Sequence, residues 1–107
     1  MKEKLKKKWV QALRGKAPEG EYQQTTGLMH ESTECGDHFC CLGVLRNITT
    51  GFGPTRDVGY VQARGMPNSK EFGSWGLTYW EMQELVSMND SGQSFAEIAD
   101  YIERNVR

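Results

Sequence analysis

No stretch of this chain is apolar for the roughly twenty residues that a membrane-spanning helix requires. The N-terminus is basic but lacks the apolar core of a signal peptide, so the expectation is a soluble, intracellular protein. Cysteine is scarce and odd in number. Three thiols, two of them the neighbours Cys40 and Cys41, do not make a disulfide framework, and a reducing cytosol fits them best. Net charge is nearly absent as well. Thirteen basic against fourteen acidic side chains give −1, which speaks against general polyanion binding and against nucleic acid as the main partner. No GxxxxGK[ST] occurs, and no GxGxxG leads from a strand into a helix, so no loop is built to cradle phosphates. At 107 residues, 37% apolar and 25% charged, the chain holds one compact domain over 1–107 with a modest core.

The charge that is present is segregated. Residues 1–16 carry seven basic side chains against Glu3, and residues 81–107 carry six acids against Arg104 and Arg107. The plain reading is a solvated helix face paired with the acidic end of the same molecule. A basic arm along Lys2–Lys8 for nucleic acid is the sharper alternative. In KEKLKKKWVQALRG, Leu5, Trp9 and Leu13 recur at spacing four beside Val10, a narrow stripe on a helix stopped near Gly15. Trp9 is its anchor.

Turn residues dominate 16–38. Tyr22–Thr26 and Leu28–Ser32 read as short strands joined near Gly27. Asp37 stands where an N-cap would precede a helix over Phe39–Ile48, in which FCCLGVL is apolar on nearly every side and therefore buried. Six of the twelve glycines fall in a loop region over 49–77, where only Val58–Ala63 resembles a strand. Two capping boxes, Thr78-Tyr-Trp-Glu81 and Ser94-Phe-Ala-Glu97, flank the turn Asn89-Asp-Ser-Gly92 and predict a helical hairpin. Tyr79, Met82, Leu85 and Val86 face inward on its first helix, and Phe95, Ile98, Ile102 and Val106 on its second. The fold class is α+β: about four helices (N-terminal, central buried and a C-terminal helical hairpin) with a short antiparallel hairpin or small sheet.

Chemistry has few candidates. His30, Cys35, His38, Cys40 and Cys41 supply donor atoms for a metal, but C-x4-C-C is a poor zinc spacing, and adjacent helical cysteines diverge by about 100°. No metal or other cofactor is expected. Cys40 in the first turn of a helix would have its thiol pKa lowered, and His30 or His38 would serve as base, giving a cysteine-dependent enzyme as the competing function. No orienting acid or oxyanion hole accompanies them. Glu81 and Asp90 are explained as a capping acid and a turn former. The best binding lead is aromatic: Trp75 and Trp80 beside the loop, Tyr60 within it, Arg56 and Arg64 nearby, and the Asn89–Asp90 turn, a set suited to stacking on a nucleotide-like ligand.

KWVQALRG, Tyr22-Gln-Gln24, CCLGVL and MNDSGQSFAEIADYIE, in this order, resemble a family of small uncharacterised proteins encoded by phages and prophages. The resemblance covers both ends and the centre, while 46–76 match little, and His30, Cys35 and His38 lie outside the pattern. It implies an accessory phage-type protein of the bacterial host cytoplasm; the leading expectation is a non-enzymatic protein that binds a host or defence factor or sequesters a small nucleotide-like ligand, with homo-oligomerisation as a further expectation.

Overall fold

The stripe at the start of the chain and the paired capping boxes at its end both become helices, and the central apolar run is buried between them. The computed structural model describes residues 1–17, 21–26, 30–33, 36–50, 62–63 and 69–106. In chain order the elements are α1 (Glu3–Leu13), β1 (Gln23–Gln24), β2 (His30–Thr33), β3 (Gly36–Phe39), α2 (Cys41–Thr50), β4 (Gln62–Ala63), α3 (Ser69–Ser74), α4 (Tyr79–Asp90) and α5 (Phe95–Asn105). The class is α+β. The sequence predicts about four helices, and five occur among the described residues, the extra one being the short α3 inside the glycine-rich region 49–77. The rest of the strand expected over Val58–Ala63 lies outside the described residues.

The small sheet is mixed, in the order β1-β3-β2-β4. β2 and β3 form an antiparallel hairpin with Thr33 opposite Gly36, and β4 adds to the other edge of β2. The hairpin expected from Tyr22–Thr26 with Leu28–Ser32 does not form. β1 instead runs parallel to β3, Gln23 opposite His38 and Gln24 opposite Phe39. Side chains account for this placement. The Tyr22 ring meets Phe39 edge-on at 5.1 Å, and its buried hydroxyl donates to Asn47 Oδ1 on α2 at 2.6 Å.

Because β3 extends through Phe39, α2 begins at Cys41, two residues later than the expected start at Phe39. The cap comes from elsewhere. Cys40 takes the N-cap position: its carbonyl accepts from Val44 N–H at 3.0 Å and its Sγ from Gly43 N–H at 3.4 Å. The Cys41 N–H donates to Asn89 Oδ1 at 3.2 Å, across a sequence separation of 48. Asn89 is fully buried at the end of α4, and its amide is spent on the start of α2 and on β1 with Thr25 just beyond it. Oδ1 also accepts from Gln24 Nε2 at 3.1 Å, and Nδ2 donates to the Thr25 carbonyl at 2.8 Å. Gln24 Nε2 also reaches the Gln93 carbonyl at 2.8 Å. One side chain therefore pins β1, the start of α2 and the turn between α4 and α5.

The helices pack as their stripes demand. Trp9, Val10 and Leu13 of α1 are buried, and Trp9 Nε1 donates to the Cys41 carbonyl at 2.9 Å. α1 lies antiparallel on α5: Arg14 Nη2 meets Asp100 at 2.8 Å and Glu103 at 3.1 Å, while Lys6 Nζ donates to the carbonyls of Glu103 and Val106. The basic start and acidic end do meet in part. Both capping boxes form with the expected reciprocal bonds, and Gly92 takes the left-handed conformation, φ 94°, in the turn between their helices. On α5, Phe95, Ile98, Ile102 and Val106 all point inward; on α4, Met82 and Leu85 are buried, Val86 half-buried and Tyr79 exposed. The short α3 is tied to α2 by a two-pronged contact, Arg46 Nε and Nη2 donating to the Glu71 carboxylate at 2.7 and 2.5 Å.

These contacts rank two substitutions. Ser94→Ala removes one capping acceptor and is expected to cost about 1 kcal/mol. Asn89→Ala leaves the buried Cys41 N–H without its acceptor and the half-buried Thr25 carbonyl without its donor, with Gln24 keeping only the Gln93 carbonyl, so about 3 kcal/mol is expected. Guanidinium unfolding of both variants checks the order, which would be reversed if Asn89 were a minor contact.

Candidate functional site

The cysteine run is the first place to look, and burial decides its character. Cys40 is 7% exposed and Cys41 wholly enclosed. The Cys41 thiol donates to the Leu85 carbonyl at 3.6 Å. Burial pushes the Cys40 thiol pKa up, outweighing the backbone N–H groups of Gly43 and Leu42, which favour the thiolate. Cys41 is raised well above the ordinary range, again by burial first and by its neighbour Cys40 second. Helix position alone would have lowered the Cys40 value, but desolvation wins. A cysteine nucleophile is opposed by both geometry and proton affinity.

The metal candidates are not gathered into a site among the described residues, where no group of three or more His, Cys, Asp or Glu side chains is placed to share an ion. Cys35 and the side chain of His30 lie outside the described residues. His38 is half-buried on β3, with its Nδ1 enclosed and unbonded. The set Tyr60, Arg56, Arg64, Trp75, Trp80, Asn89 and Asp90 fares unevenly. Tyr60, Arg56 and Arg64 lie outside the described residues. Trp75 is a core residue, 3% exposed, and Asn89 is committed to the scaffold contacts given above, whereas Asp90 and Trp80 are at the surface. Trp75, Asn89 and Trp80 do not share one surface.

What remains is one feature at the start of α4. Trp80 is 78% exposed and Tyr79 51%, their rings edge-to-face with centroids 5.5 Å apart. The local sequence fixes this. Thr78 Oγ1 accepts from Glu81 N–H at 3.1 Å and the Glu81 carboxylate accepts from Thr78 N–H at 2.9 Å, so the helix register is set at residue 78. Positions 82, 85 and 89 then face the core, and 80 and 84 face water. That register was available from the capping box; the inward assignment of Tyr79 overlooked it. Trp80 stands one turn before exposed Glu84, beside which lies half-buried Tyr101 of α5. The Tyr101 hydroxyl has its pKa raised, by burial first, then by the charges of Glu84 and Glu81. The patch is thus aromatic and acidic. A flat aromatic face beside carboxylates suits a cationic side chain, which gains from both the ring and the charge. Covering Trp80 would remove apolar area worth roughly 4 kcal/mol before the costs of association.

The thiols carry a pH signature. In the unfolded chain they ionise at about 8.5, and in the folded chain higher, so above pH about 8.5 the folded state holds more protons than the unfolded one. Their contribution is intact below that pH and is lost as pH rises toward the folded values. Unfolding free energy should fall above it, and Cys41→Ala should flatten the fall. In a Cys35→Ser background, iodoacetamide is expected to label neither remaining thiol of the native protein and both after unfolding. Fast native labelling would refute the buried reading.

Comparison with known proteins places the sequence without assigning it a role. No curated protein and no solved structure matches the chain. One family model matches residues 1–70, from α1 through β4 to the first residues of α3. The chain belongs to the family described as Domain of unknown function (DUF8296).

Proposed function

We propose that this protein is a small phage-type accessory protein that acts by binding rather than by catalysis, holding a basic segment of a host or defence protein against Trp80, Tyr79 and Glu84. The observation that carries the reading is the contrast among the three tryptophans: Trp9 and Trp75 are enclosed, while Trp80 stands in water on a rigid, capped helix start. Large aromatics concentrate binding energy at interfaces, and a rigid mount lowers the ordering cost of using one. The phage-type context rests on the motif resemblance alone. Burial of Cys40 and Cys41 opposes the cysteine-dependent alternative. Among the described residues no helix is long and apolar enough to cross a membrane. The bacterial cytoplasm as the place of action is part of the proposal.

Site-specific photo-crosslinking in a bacterial host tests it. A benzoyl-phenylalanine at position 80 is expected to capture a defined protein, and the same group at exposed Lys8, on α1, is expected not to. Trp80→Ala should weaken binding of the purified partner by about a hundredfold or more while leaving the unfolding midpoint nearly unchanged. Glu84→Lys should weaken it further at low salt than at high salt. Capture of a second copy of this chain would turn the reading to homo-oligomerisation. Equal capture at 80 and 8 would remove it.

A further inference from the structure

The opposite charge is concentrated on α1, and there it lines a groove. An open cavity of about 570 Å³ runs along the polar stripe of α1 beside the end of α5. Lys7, Gln11 and Arg14 follow one another at i, i+4 and i+7, so all three project to the same side. Val10 contributes an apolar wall, and Lys6 flanks it. Lys16 closes the far end, because the chain turns back after α1. Its N–H donates to the Gln11 carbonyl at 2.9 Å, which returns residue 16 to the last helical turn.

The state of the charged heads matters more than their number. Lys6 is spent on the carbonyls that end α5. Arg14 makes both its carboxylate contacts through Nη2, and its Nε and Nη1 hydrogens have no acceptor among the described residues. The ammonium groups of Lys7 and Lys16 have none either, though Lys7 lies on the groove's own helix beside Lys6. Of the two carboxylates on the groove, Glu103 is already shared with Arg14, and Glu3 lies one turn before Lys7, at the end opposite Lys16. Between Glu3 and Lys16 the groove therefore carries the Lys7 ammonium, the Gln11 amide and the Arg14 guanidinium, the last fixed by carboxylates of α5. That is a preorganised arrangement for an anion. Its size falls within the usual range for small-molecule sites, about 300–1,000 Å³. A net charge of −1 means that anion binding here would be local and not a property of the whole surface.

We infer that the groove of Lys7, Gln11, Arg14 and Lys16 is a binding site for a small anion bearing two or more phosphate or carboxylate groups. Two charges are needed because the free donors are divided between the middle of α1 and the turn beyond it. A single anion engages one group and leaves the other solvated.

Titration followed by amide chemical shifts tests the site, with inorganic phosphate, tripolyphosphate and citrate as probes at low salt. Tripolyphosphate is expected to saturate a single site, moving the amides of Lys7, Gln11 and Lys16, and to bind at least about tenfold more tightly than inorganic phosphate. Citrate binding as well as tripolyphosphate would identify the natural class as a polycarboxylate; weaker citrate binding would identify it as a polyphosphate. Lys7→Gln with Lys16→Gln should lower the tripolyphosphate affinity by at least about tenfold. Lys2→Gln with Lys4→Gln, on exposed lysines that do not line the groove, should leave it within about twofold. All four positions are solvent-exposed, so folding is preserved in each variant. The inference is overturned by shifts that never saturate, by equal losses in the two double variants, or by affinity for a long single-stranded RNA without any for tripolyphosphate.

Discussion

The buried amide of Asn89 is the contact on which the rest of this structure depends. Three segments that are remote in sequence meet at its two polar ends: the strand at Gln24 and Thr25, the first N–H of α2 at Cys41, and through Gln24 the turn before α5. An amide is the side chain that can do this, since it accepts at one end and donates at the other without carrying a charge into the core. A carboxylate would accept from Cys41 and Gln24 but would face the Thr25 carbonyl with like polarity. A leucine of similar size would leave the Cys41 N–H and the Thr25 carbonyl unbonded, and Gln24 with the Gln93 carbonyl alone. The polar network is small, fully bonded and central, which is the condition under which buried polarity specifies a structure instead of weakening it.

Around that point the central helix is read in a different light. FCCLGVL has the look of chemistry because it pairs two cysteines near two histidines. In the folded chain one of those sulfurs caps a helix, the other fills the core and donates to a carbonyl, and the backbone between them receives Trp9 and supplies an N–H to Asn89. The segments KWVQALRG, Tyr22-Gln-Gln24, CCLGVL and the Asn89 turn are far apart in sequence and touch one another in space. Their shared pattern is that of an interlocking frame. Trp80 with Glu84 sits outside it, whereas the lysine groove runs along the outer face of α1, one of its members.

How much of this was legible beforehand follows from the range of each interaction. The two capping boxes are local, three residues across, and the helical hairpin was readable from them. The stripe of α1 is likewise local, and so was its anchor, Trp9. The start of α2 was not readable, because Phe39 is apolar and suits the end of a strand as well as the start of a helix. What decides it is the pairing of β3 with two other strands and a cap supplied from residue 89. The partner of β1 was missed for the same reason: Tyr22 and Gln24 are held by Asn47 and Asn89, and no short-range pattern encodes either contact. Of the candidate ligand residues, Trp75 and Trp80 are chemically alike in sequence, and what separates them is placement: Trp75 is enclosed in the turn after α3, and the register set at Thr78 turns Trp80 to water.

Gly76 bears on how the molecule can vary. It is solvent-exposed, and its φ of 80° lies in the left-handed region, yet a methyl group placed on it would come within 2.6 Å of the Met1 Cα. The start of α1 is therefore seated directly on the backbone of the turn that leads into α4. Exposure and tolerance to substitution usually go together, and here they part. Position 76 is open to water on one side and closed to every side chain on the other. A surface glycine thus constrains sequence drift as tightly as a core residue does, and it does so at the joint between the helix that carries the lysines and the helix that carries the exposed tryptophan.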